Sequence, residues 1–441
     1  MKWILGAILL LLVGVAFQLG QLVYAMYVLL AVLLVSRYLA REWTENLEAD
    51  RQCVRDTAEI GEELSVAVTI RNQGHLPVPW LLVEDSLPIE ALTQNPPRLR
   101  ASGNRLNLIR IRSGGEAQLS YQVRFLMRGY YQIGPLLLES GDLFGLHRRY
   151  RVVTEPSFVL VPPKVVPLEG YDLASRQPVG EVRMTHRLFE DPTRIRGVRP
   201  YEIGDPLNRI HWRATARTGQ LHSKAYEPSS IAGATLLLDM HHDSHRGRGD
   251  VVRCELAITT VASLANALHQ MEQRVGLITN GRDAADRIRE EGWNTEFRTR
   301  TVAKANLGMR AESDRLRPVI IETRRGFDQL SRILETLARL ELTDGLKFSE
   351  LVIETTNRLP RNATVVAVLT DVPPETAVAL INLRRRGYSV TAVLVVFDQP
   401  DTPDWARSPD WAGWLVAGGV EVRRVDSEAA LSNLCAERLV R

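Results

Sequence analysis

Histidine and carboxylate side chains are concentrated in one short segment, and side chains of these types bind metal ions. The segment contains His241, His242, Asp243 and His245. Imidazole nitrogens and carboxylate oxygens are usual ligands of zinc. Contiguous histidines on one loop cannot all face a single ion, and no HExxH motif accompanies them. We therefore expect a solvated polar loop at this position, with a zinc site as the alternative.

A second group of residues could take part in proton transfer. His211 and Trp212 follow Asp205 closely, as a general base and the carboxylate that orients it would. No GxSxG, P-loop or GxGxxG motif is present to supply a nucleophile or a phosphate site. We therefore predict a structural role without catalysis. Asp205 should accept hydrogen bonds from nearby arginines, and Trp212 should be buried against the sheet.

The same segment is strongly basic. Between residues 182 and 226, nine Lys and Arg residues stand against four acidic residues, although the whole chain has a formal net charge of only +3. This pattern favours an arginine-rich surface for a partner protein. Binding of phosphate or nucleic acid is the alternative, but nucleic acid is disfavoured because few aromatic residues lie between the basic ones. The arginines concerned are Arg194, Arg196, Arg199, Arg213 and Arg217.

The N-terminal region is a long apolar run that we expect to anchor the chain in a membrane. No charged residue or histidine occurs from Trp3 to Ser36, and the polar sequence QLGQ interrupts this apolar run at residues 18–21. The pattern predicts a transmembrane hairpin within residues 1–42, with spans at about 3–18 and 22–39.

The charges that flank the hairpin predict its orientation. Lys2 precedes it, the connecting turn is uncharged, and arginines follow the second span, so both ends should be cytoplasmic. A cleaved signal peptide is the alternative. Trp3, Tyr38 and Trp43 are expected at the membrane interface, and the arginines after the span could bind anionic lipid headgroups. These arginines are Arg37, Arg41, Arg51 and Arg55.

Two folded regions follow the hairpin. Residues 50–163 contain short alternating runs of apolar and polar residues, such as 64–72 and 117–125, which predict a small antiparallel β-sandwich of immunoglobulin-like architecture. From residue 232 to 441, buried strands alternate with helices, which predicts a doubly wound α/β domain. Residues 282–322 are polar and rich in arginine, and we expect them to form an excursion from this domain. The three cysteines are far apart, which fits a reducing compartment.

The basic segment carries a family resemblance. RPYEIGDPLNRIHWRATARTGQL resembles the pattern of a large bacterial family known as domain of unknown function fifty-eight, which also has a membrane hairpin, a β-domain and a von Willebrand factor A-like α/β domain. The matching positions are Arg199, Tyr201, Gly204, Asp205, Arg209, Ile210, His211, Trp212, Thr215, Ala216, Arg217, Gly219 and Leu221.

The resemblance implies a candidate metal site. A von Willebrand factor A domain binds Mg2+ through D-x-S-x-S, a later Thr and a late Asp, all of which are oxygen ligands. Asp239, Thr343 and Asp371 correspond to the first Asp, the Thr and the late Asp, but His241 and Asp243 replace the two serines. The site is therefore degenerate, and Asp239 and Asp371 could simply cap strand ends.

The resemblance also implies a function. Members of this family have no established enzymatic activity and are commonly encoded beside MoxR-type AAA+ ATPases and von Willebrand factor A proteins. We therefore expect a non-enzymatic accessory or scaffold, tethered to the inner membrane with a cytoplasmic body, that assists assembly of envelope or other complexes without a cofactor. A metal-dependent envelope enzyme that uses Asp239 and Asp371, or the histidine loop, is the alternative.

Overall fold

A computed structural model describes most of the chain in two compact units. The first is built on Met1–Pro162, and the second on Pro163–Arg287 with Ala311–Arg441. The described residues are 2–53, 55–142, 145, 147–168, 190–201, 210–228, 233–245, 250–286, 316–360, 364–396, 411–432 and 434.

Two apolar helices begin the first unit. Helix α1 (Lys2–Ala16) and helix α2 (Gly20–Glu45) are joined by a turn at residues 17–19, beside the predicted break. Helix α2 is long and apolar enough to cross a bilayer. Helix α1 contains a shorter apolar stretch, Leu5–Ala16. These features suggest that the N-terminal region associates with a membrane.

The last turns of α2 pack on protein. Ser36, Ala40 and Trp43 are buried and recur at helical spacing along one face. The hydroxyl of Ser36 lies 2.9 Å from Nδ1 of His147. The predicted second span, 22–39, therefore overlaps the packed part of α2. Trp43 was expected at the membrane interface, but its side chain belongs to the core of the β-domain.

Two four-stranded antiparallel sheets form the β-domain, with orders β1-β2-β6-β4 and β5-β3-β8-β9, and β7 pairs with β10 beside them. In β2, every second side chain is buried in a core that the two sheets share. The predicted antiparallel β-domain is thus present and begins at Leu47. Its strands are β1 (Leu47–Cys53), β2 (Glu63–Asn72), β3 (Val78–Asp85), β4 (Leu99–Gly103), β5 (Leu106–Ile111), β6 (Glu116–Phe125), β7 (Gly129–Ile133), β8 (Leu136–Gly141), β9 (Arg148–Val152) and β10 (Ser157–Val161), with the short helix α3 (Ile89–Thr93) before β4.

A buried polar network joins the two sheets, and we call it the inter-sheet clasp. It consists of Arg51 on β1, Asp85 on β3 and Tyr121 on β6. The guanidinium of Arg51 makes an ion pair with Asp85, and the Tyr121 hydroxyl donates to Asp85 Oδ2 at 2.7 Å. Arg51 Nη1 also donates to the carbonyl oxygens of Ile133 and Glu155, at 3.1 and 2.8 Å. Arg51 is therefore not available to lipid headgroups, contrary to the prediction.

A six-stranded sheet of order β16-β14-β13-β18-β19-β20 forms the centre of the second unit. Five strands are parallel, and the edge strand β16 is antiparallel to β14. All residues of β13 are buried, as expected for a strand that is covered on both faces. The strands are β13 (Ala234–Leu238), β14 (Val275–Thr279), β16 (Val319–Arg324), β18 (Thr364–Leu369), β19 (Ser389–Val395) and β20 (Glu421–Val425), and β15 (Arg282–Asp283) pairs with β17 (Leu340–Glu341) outside this sheet.

Helices cover both faces of this sheet, which confirms the α/β prediction. Helices α5 (Asp250–Gln270), α6 (Phe327–Arg339) and α10 (Glu428–Ser432) share one core with the sheet. Helices α7 (Phe348–Thr355), α8 (Pro374–Arg385) and α9 (Trp411–Ala417) share a second core with its other face. Within α5, residues Val251–Gln270 are apolar enough to cross a membrane, but 67% of their most apolar stretch is buried inside this unit.

The predicted excursion, 282–322, is only partly described. Residues 287–315 lie outside the described residues, and β16 occupies its end as an edge strand of the sheet.

Candidate functional site

The basic segment forms a hairpin that carries a short helix. Strand β11 (Glu190–Pro200) pairs with β12 (His222–Pro228), and helix α4 (Trp212–Thr218) lies between them in the chain. The amide of Tyr201 donates to Leu221 O at 2.9 Å, and the amide of His211 donates to His222 O at 2.8 Å. These bonds hold the start of the connection and the residue before α4 against the start of β12.

Several motif positions terminate or anchor α4. Nδ1 of His211 accepts a hydrogen bond from the amide of Ala214 at 3.0 Å, so His211 is the N-cap. Gly219 ends the helix with φ of 73°, a conformation that glycine adopts without steric cost. Oγ1 of Thr215 accepts from the amide of His222 at 3.1 Å. His211 thus has a local structural role, and its predicted partner Asp205 lies outside the described residues.

Ile210 and Trp212 lie in opposite environments. Ile210 is 4% exposed and forms a β-bridge with Ser223. Trp212 is 67% exposed. The expectation that Trp212 is buried against the sheet is therefore wrong. Ile210 supplies the buried apolar contact, because the helix begins after it and directs the indole outward.

Trp212, Arg213, Ala216 and Arg217 form a continuous exposed surface, which we call the α4 face. All four residues are exposed, and the i, i+4 spacing places Trp212 beside Ala216 and Arg213 beside Arg217. Neither arginine has an ion-pair partner in the described part of the chain. Arg199 Nη1 lies 3.4 Å from Pro200 O. Gly204 and Arg209, and the side chains of Arg194 and Arg196, lie outside the described residues.

A second cluster surrounds Asp239, which follows β13 and is 1% exposed. Its Oδ1 accepts hydrogen bonds from Asn280 Nδ2 at 2.9 Å and from the amide of His241 at 3.0 Å, and its Oδ2 accepts from the Ser244 hydroxyl at 2.5 Å. Nε2 of His245 donates to the Asp239 carbonyl at 3.1 Å. We call this arrangement the strand-end cluster.

The loops that follow neighbouring strands meet at this cluster. Thr343 donates its amide to Met240 O at 3.0 Å, and its own carbonyl accepts from the amide of His242 at 2.8 Å. The Thr370 hydroxyl, just after β18, donates to Ser244 O at 2.8 Å. Asp371 follows Thr370, and its Oδ1 accepts from the amide of Val372. The cluster thus lies at the carboxyl ends of the paired strands β13 and β18, after which the chain continues to opposite sides of the sheet, so it lies at the switch point of the sheet.

The carboxylate of Asp239 already accepts three hydrogen bonds from protein donors. Two N–H groups point at Oδ1, and a hydroxyl donates to Oδ2, so the carboxylate lone pairs face hydrogen-bond donors. His242 and Asp243 are exposed, whereas His241 and His245 are buried. Among the described residues, no group of three or more His, Cys, Asp or Glu side chains could hold a metal ion.

Sequence reasoning missed Asn280, Ser244 and Thr370. Asn280 directly follows β14, so the strand-end argument used for Asp239 would also have identified it. Ser244 lies one position beyond the D-x-S-x-S spacing, and its contact with Asp239 depends on a short 3₁₀ turn over His242–His245.

Comparison with known proteins agrees with the motif. Residues 197–302 match the family described as "Protein of unknown function DUF58". The matched region contains α4, β12, β13 and β14. The resemblance that the motif residues indicated is confirmed for this region.

One curated relative is uncharacterized protein YeaD of Bacillus subtilis (strain 168). It is 24% identical over 263 residues, which cover 59% of this chain and 62% of the relative. The match thus spans somewhat less than two thirds of that protein.

Two solved structures have low similarity to this fold. The CARDB domain of PF1109 from Pyrococcus furiosus has a TM-score of 0.17 at 16% identity, with 26% of this chain and 94% of that chain covered. The pilus adhesin SpaC from Lactobacillus rhamnosus GG has a TM-score of 0.30 at 11% identity, with 46% and 29% covered. Scores this low assign neither a fold nor a function.

Proposed function

We propose that the protein is a membrane-tethered, non-enzymatic accessory or scaffold that binds a partner protein through the α4 face. The exposure of Trp212 beside Arg213 and Arg217 carries this proposal. Tryptophan and arginine are enriched among the residues that contribute most to protein interfaces. Leaving a tryptophan 67% exposed sacrifices the stabilisation that its burial would provide, which is explained if the indole is buried in a complex.

The remaining motif residues support this role because they fix the helix. His211 and Gly219 cap its two ends, and Thr215 ties it to β12. A short helix is marginal in isolation, so these contacts keep the α4 face in one conformation before binding. A surface that is already ordered loses less conformational entropy when a partner binds.

The architecture of the second unit favours a von Willebrand factor A-like domain. Taken along the chain, its main strands have the order 3-2-1-4-5-6, and the third is antiparallel to the rest. The antiparallel strand distinguishes this sheet from the all-parallel dinucleotide-binding sheet of the same order. We place this body on the cytoplasmic side of the inner membrane, because Lys2, Arg37 and Arg41 flank the apolar helices while their connecting turn is uncharged.

The partner we propose is a MoxR-type AAA+ ATPase, together with von Willebrand factor A proteins, in the assembly or maturation of envelope or other complexes. This choice rests on the family resemblance. The positive charges of the α4 face would require an acidic surface on this partner.

Co-purification tests the proposal. Full-length protein is isolated from native membranes as the parent and as Trp212→Ala, Arg213→Ala and Arg217→Ala, and the bound ATPase is quantified by mass spectrometry. Each variant should retain less than about a tenth of the ATPase, because loss of a central interface residue costs 2 kcal/mol or more. Trp414→Ala on α9 and Arg332→Ala on α6 are matched controls, since both side chains are exposed outside the motif.

Two results would contradict the proposal. Equal ATPase recovery with all five variants would remove the α4 face from the interface. Absence of any ATPase from the parent sample would reject this class of partner.

A further inference from the structure

A groove lies between helices α7 and α8 on the surface of the second unit. It has a volume of about 520 Å3 and is partly open to solvent. None of its residues belongs to the basic hairpin or to the strand-end cluster. An inference from this groove is therefore independent of the function proposed above.

The lining residues repeat with helical spacing on both walls. The first wall contributes Ser349, Val352, Ile353 and Thr356, which are spaced i, i+3, i+4 and i+7. The second wall, on α8, has the same spacing and is one helical turn longer. It contributes Glu375, Val378, Ala379, Asn382, Leu383 and Arg386. Two such stripes side by side form ridges and hollows into which the ridge of a third helix fits.

The floor of the groove is apolar and its rims are exposed. Val352 and Leu383 are 3% and 1% exposed, whereas Ile353 and Val378 on the rims are 72% and 50% exposed. The Thr356 hydroxyl donates to Val352 O at 2.5 Å, so it presents no unsatisfied polar group to the groove. A partner that covers Ile353 and Val378 would gain apolar burial from both rims.

Opposite charges mark the two ends of the groove. Glu375 lies in the first turn of α8, and Arg386 is the residue that caps its other end. Both are exposed, and neither has an ion-pair partner among the residues that the structure describes. Arg386 follows Glu375 by eleven residues, which corresponds to about 16 Å of helix.

We propose that this groove binds an amphipathic α-helix of a partner protein. The bound helix has about three turns, which match the length of the groove. Its apolar residues recur at i, i+3, i+4 and i+7, with a basic residue beside Glu375 and an acidic residue beside Arg386. The charges set the direction of the helix, and the apolar stripe supplies the affinity.

The walls of the groove favour this occupant over others. Both walls are helices whose main-chain groups are bonded internally, so an extended peptide would find no strand edge to pair with. A small molecule requires a cleft that buries most of its surface, whereas this groove is open between its rims.

Site-specific photocrosslinking tests the inference on the full chain in native membranes. One variant carries p-benzoylphenylalanine in place of Ile353, and a control carries it in place of Val252. Val252 is 46% exposed on α5, on the opposite face of the sheet. We expect a protein crosslink from position 353 only. Sequencing should locate the crosslinked residue in a segment with the apolar spacing and end charges stated above.

A synthetic peptide of the crosslinked segment is then titrated into the full-length protein in lipid nanodiscs. Val378→Glu should weaken binding at least ten-fold, and Val252→Glu should leave it unchanged. Glu375→Arg should weaken binding of this peptide and restore binding of a peptide with the facing charge reversed. Thermal unfolding of each variant is recorded in parallel, and Ile353→Ser replaces Val378→Glu if the latter unfolds.

The inference is overturned if position 353 gives no more protein crosslinking than position 252. It is also overturned if the product is lipid, nucleic acid, a second copy of this chain or a segment without the apolar spacing. Equal peptide affinity for the parent and for the groove variants would overturn it as well.

Discussion

Ile210 and Trp212 are two positions apart and should respond oppositely to truncation. Ile210→Ala removes a buried side chain and should destabilise the protein by about 2–4 kcal/mol. Trp212→Ala removes an exposed side chain and should change the free energy of unfolding by less than about 0.5 kcal/mol. Urea unfolding of the detergent-solubilised full chain, followed by circular dichroism, measures both. A strongly destabilised Trp212→Ala variant would show that the indole packs on protein.

Asn280 should be the most sensitive residue of the strand-end cluster. Its side chain donates to Asp239 Oδ1 and to Leu346 O, and accepts from the amide of Met240. Asn280→Ala leaves several buried groups without partners and should cost about 3 kcal/mol in urea unfolding. Asp243→Ala is the control, because this carboxylate is exposed on the neighbouring loop that follows β13, and its loss should cost less than about 1 kcal/mol. Equal effects of the two changes would argue against a structural role for Asn280.

Divalent cations should have little effect on stability. Because Asp239 already accepts three hydrogen bonds, adding Mg2+ or Mn2+ at millimolar concentration should shift the melting temperature by less than about 1 °C. Differential scanning fluorimetry of the EDTA-treated protein provides the test. A saturable rise of several degrees that Asp371→Asn abolishes would instead establish a metal site and revive the enzymatic alternative.

At the scale of elements, the inter-sheet clasp joins strands from the two sheets of the β-domain. Arg51 and Asp85 are 2% and 0% exposed at their side chains, so removal of one partner leaves a buried charge. Asp85→Ala should therefore cost about 3–5 kcal/mol. Glu116→Ala breaks the exposed Arg71–Glu116 pair in the same domain and should cost less than about 1 kcal/mol. Comparable urea midpoints for the two variants would contradict this account of the clasp.

The clasp also predicts a dependence on alkaline pH. Burial, and then the negative charge of Asp85, raise the pKa of Tyr121 well above 10.0. Above pH 10 the unfolded chain releases this proton while the folded chain retains it, so the stability present below pH 10 decreases as pH rises. The loss approaches about 1.4 kcal/mol per pH unit once the unfolded tyrosine is fully ionised.

Tyr121→Phe provides the control, because it lacks this titration but retains all others. Its stability deficit relative to the parent should shrink by about 1 kcal/mol between pH 10 and pH 11, because the unfolded tyrosine is already half ionised at pH 10. Urea unfolding at both values measures it. A deficit that stays constant would mean that Tyr121 ionises equally in the folded and unfolded states.

Elements with regular periodicity were predictable from the sequence, whereas others depended on distant partners. β2 alternates strictly, so its predicted range of 64–72 lies within one residue of the observed ends, and the continuously apolar β13 lies within the predicted α/β region. β16 was missed because it pairs at a sheet edge, where only part of each side chain is buried and the apolar signal is weak. In the candidate sites, the motif singled out Ile210 and Trp212. It could not predict the direction of Trp212, which depends on where the helix begins.

At the scale of the whole molecule, the orientation of the hairpin should place the C-terminus in the cytoplasm. An alkaline phosphatase fusion after Arg441 should be inactive, and a green fluorescent protein fusion at the same position should fluoresce, because the flanking positive charges retain both ends inside. A fusion after Gln18, in the connecting turn, is the matched control and should give active phosphatase. The opposite pattern would place the body on the other side of the membrane and exclude a cytoplasmic ATPase as its partner.

Helix α2 continues without a break from its apolar part into the core of the β-domain, so a change in the tilt of the helix is transmitted to that domain. Its 26 residues extend about 39 Å. A tilt of about 20°, which is common for membrane helices, displaces one end by roughly 13 Å relative to the other. Because Ser36, Ala40 and Trp43 are fixed in the β-domain, the domain must turn with the helix. A change in bilayer thickness that alters the tilt of the helix would therefore rotate the β-domain relative to the lipid surface. The orientation of this domain would then report the thickness of the membrane.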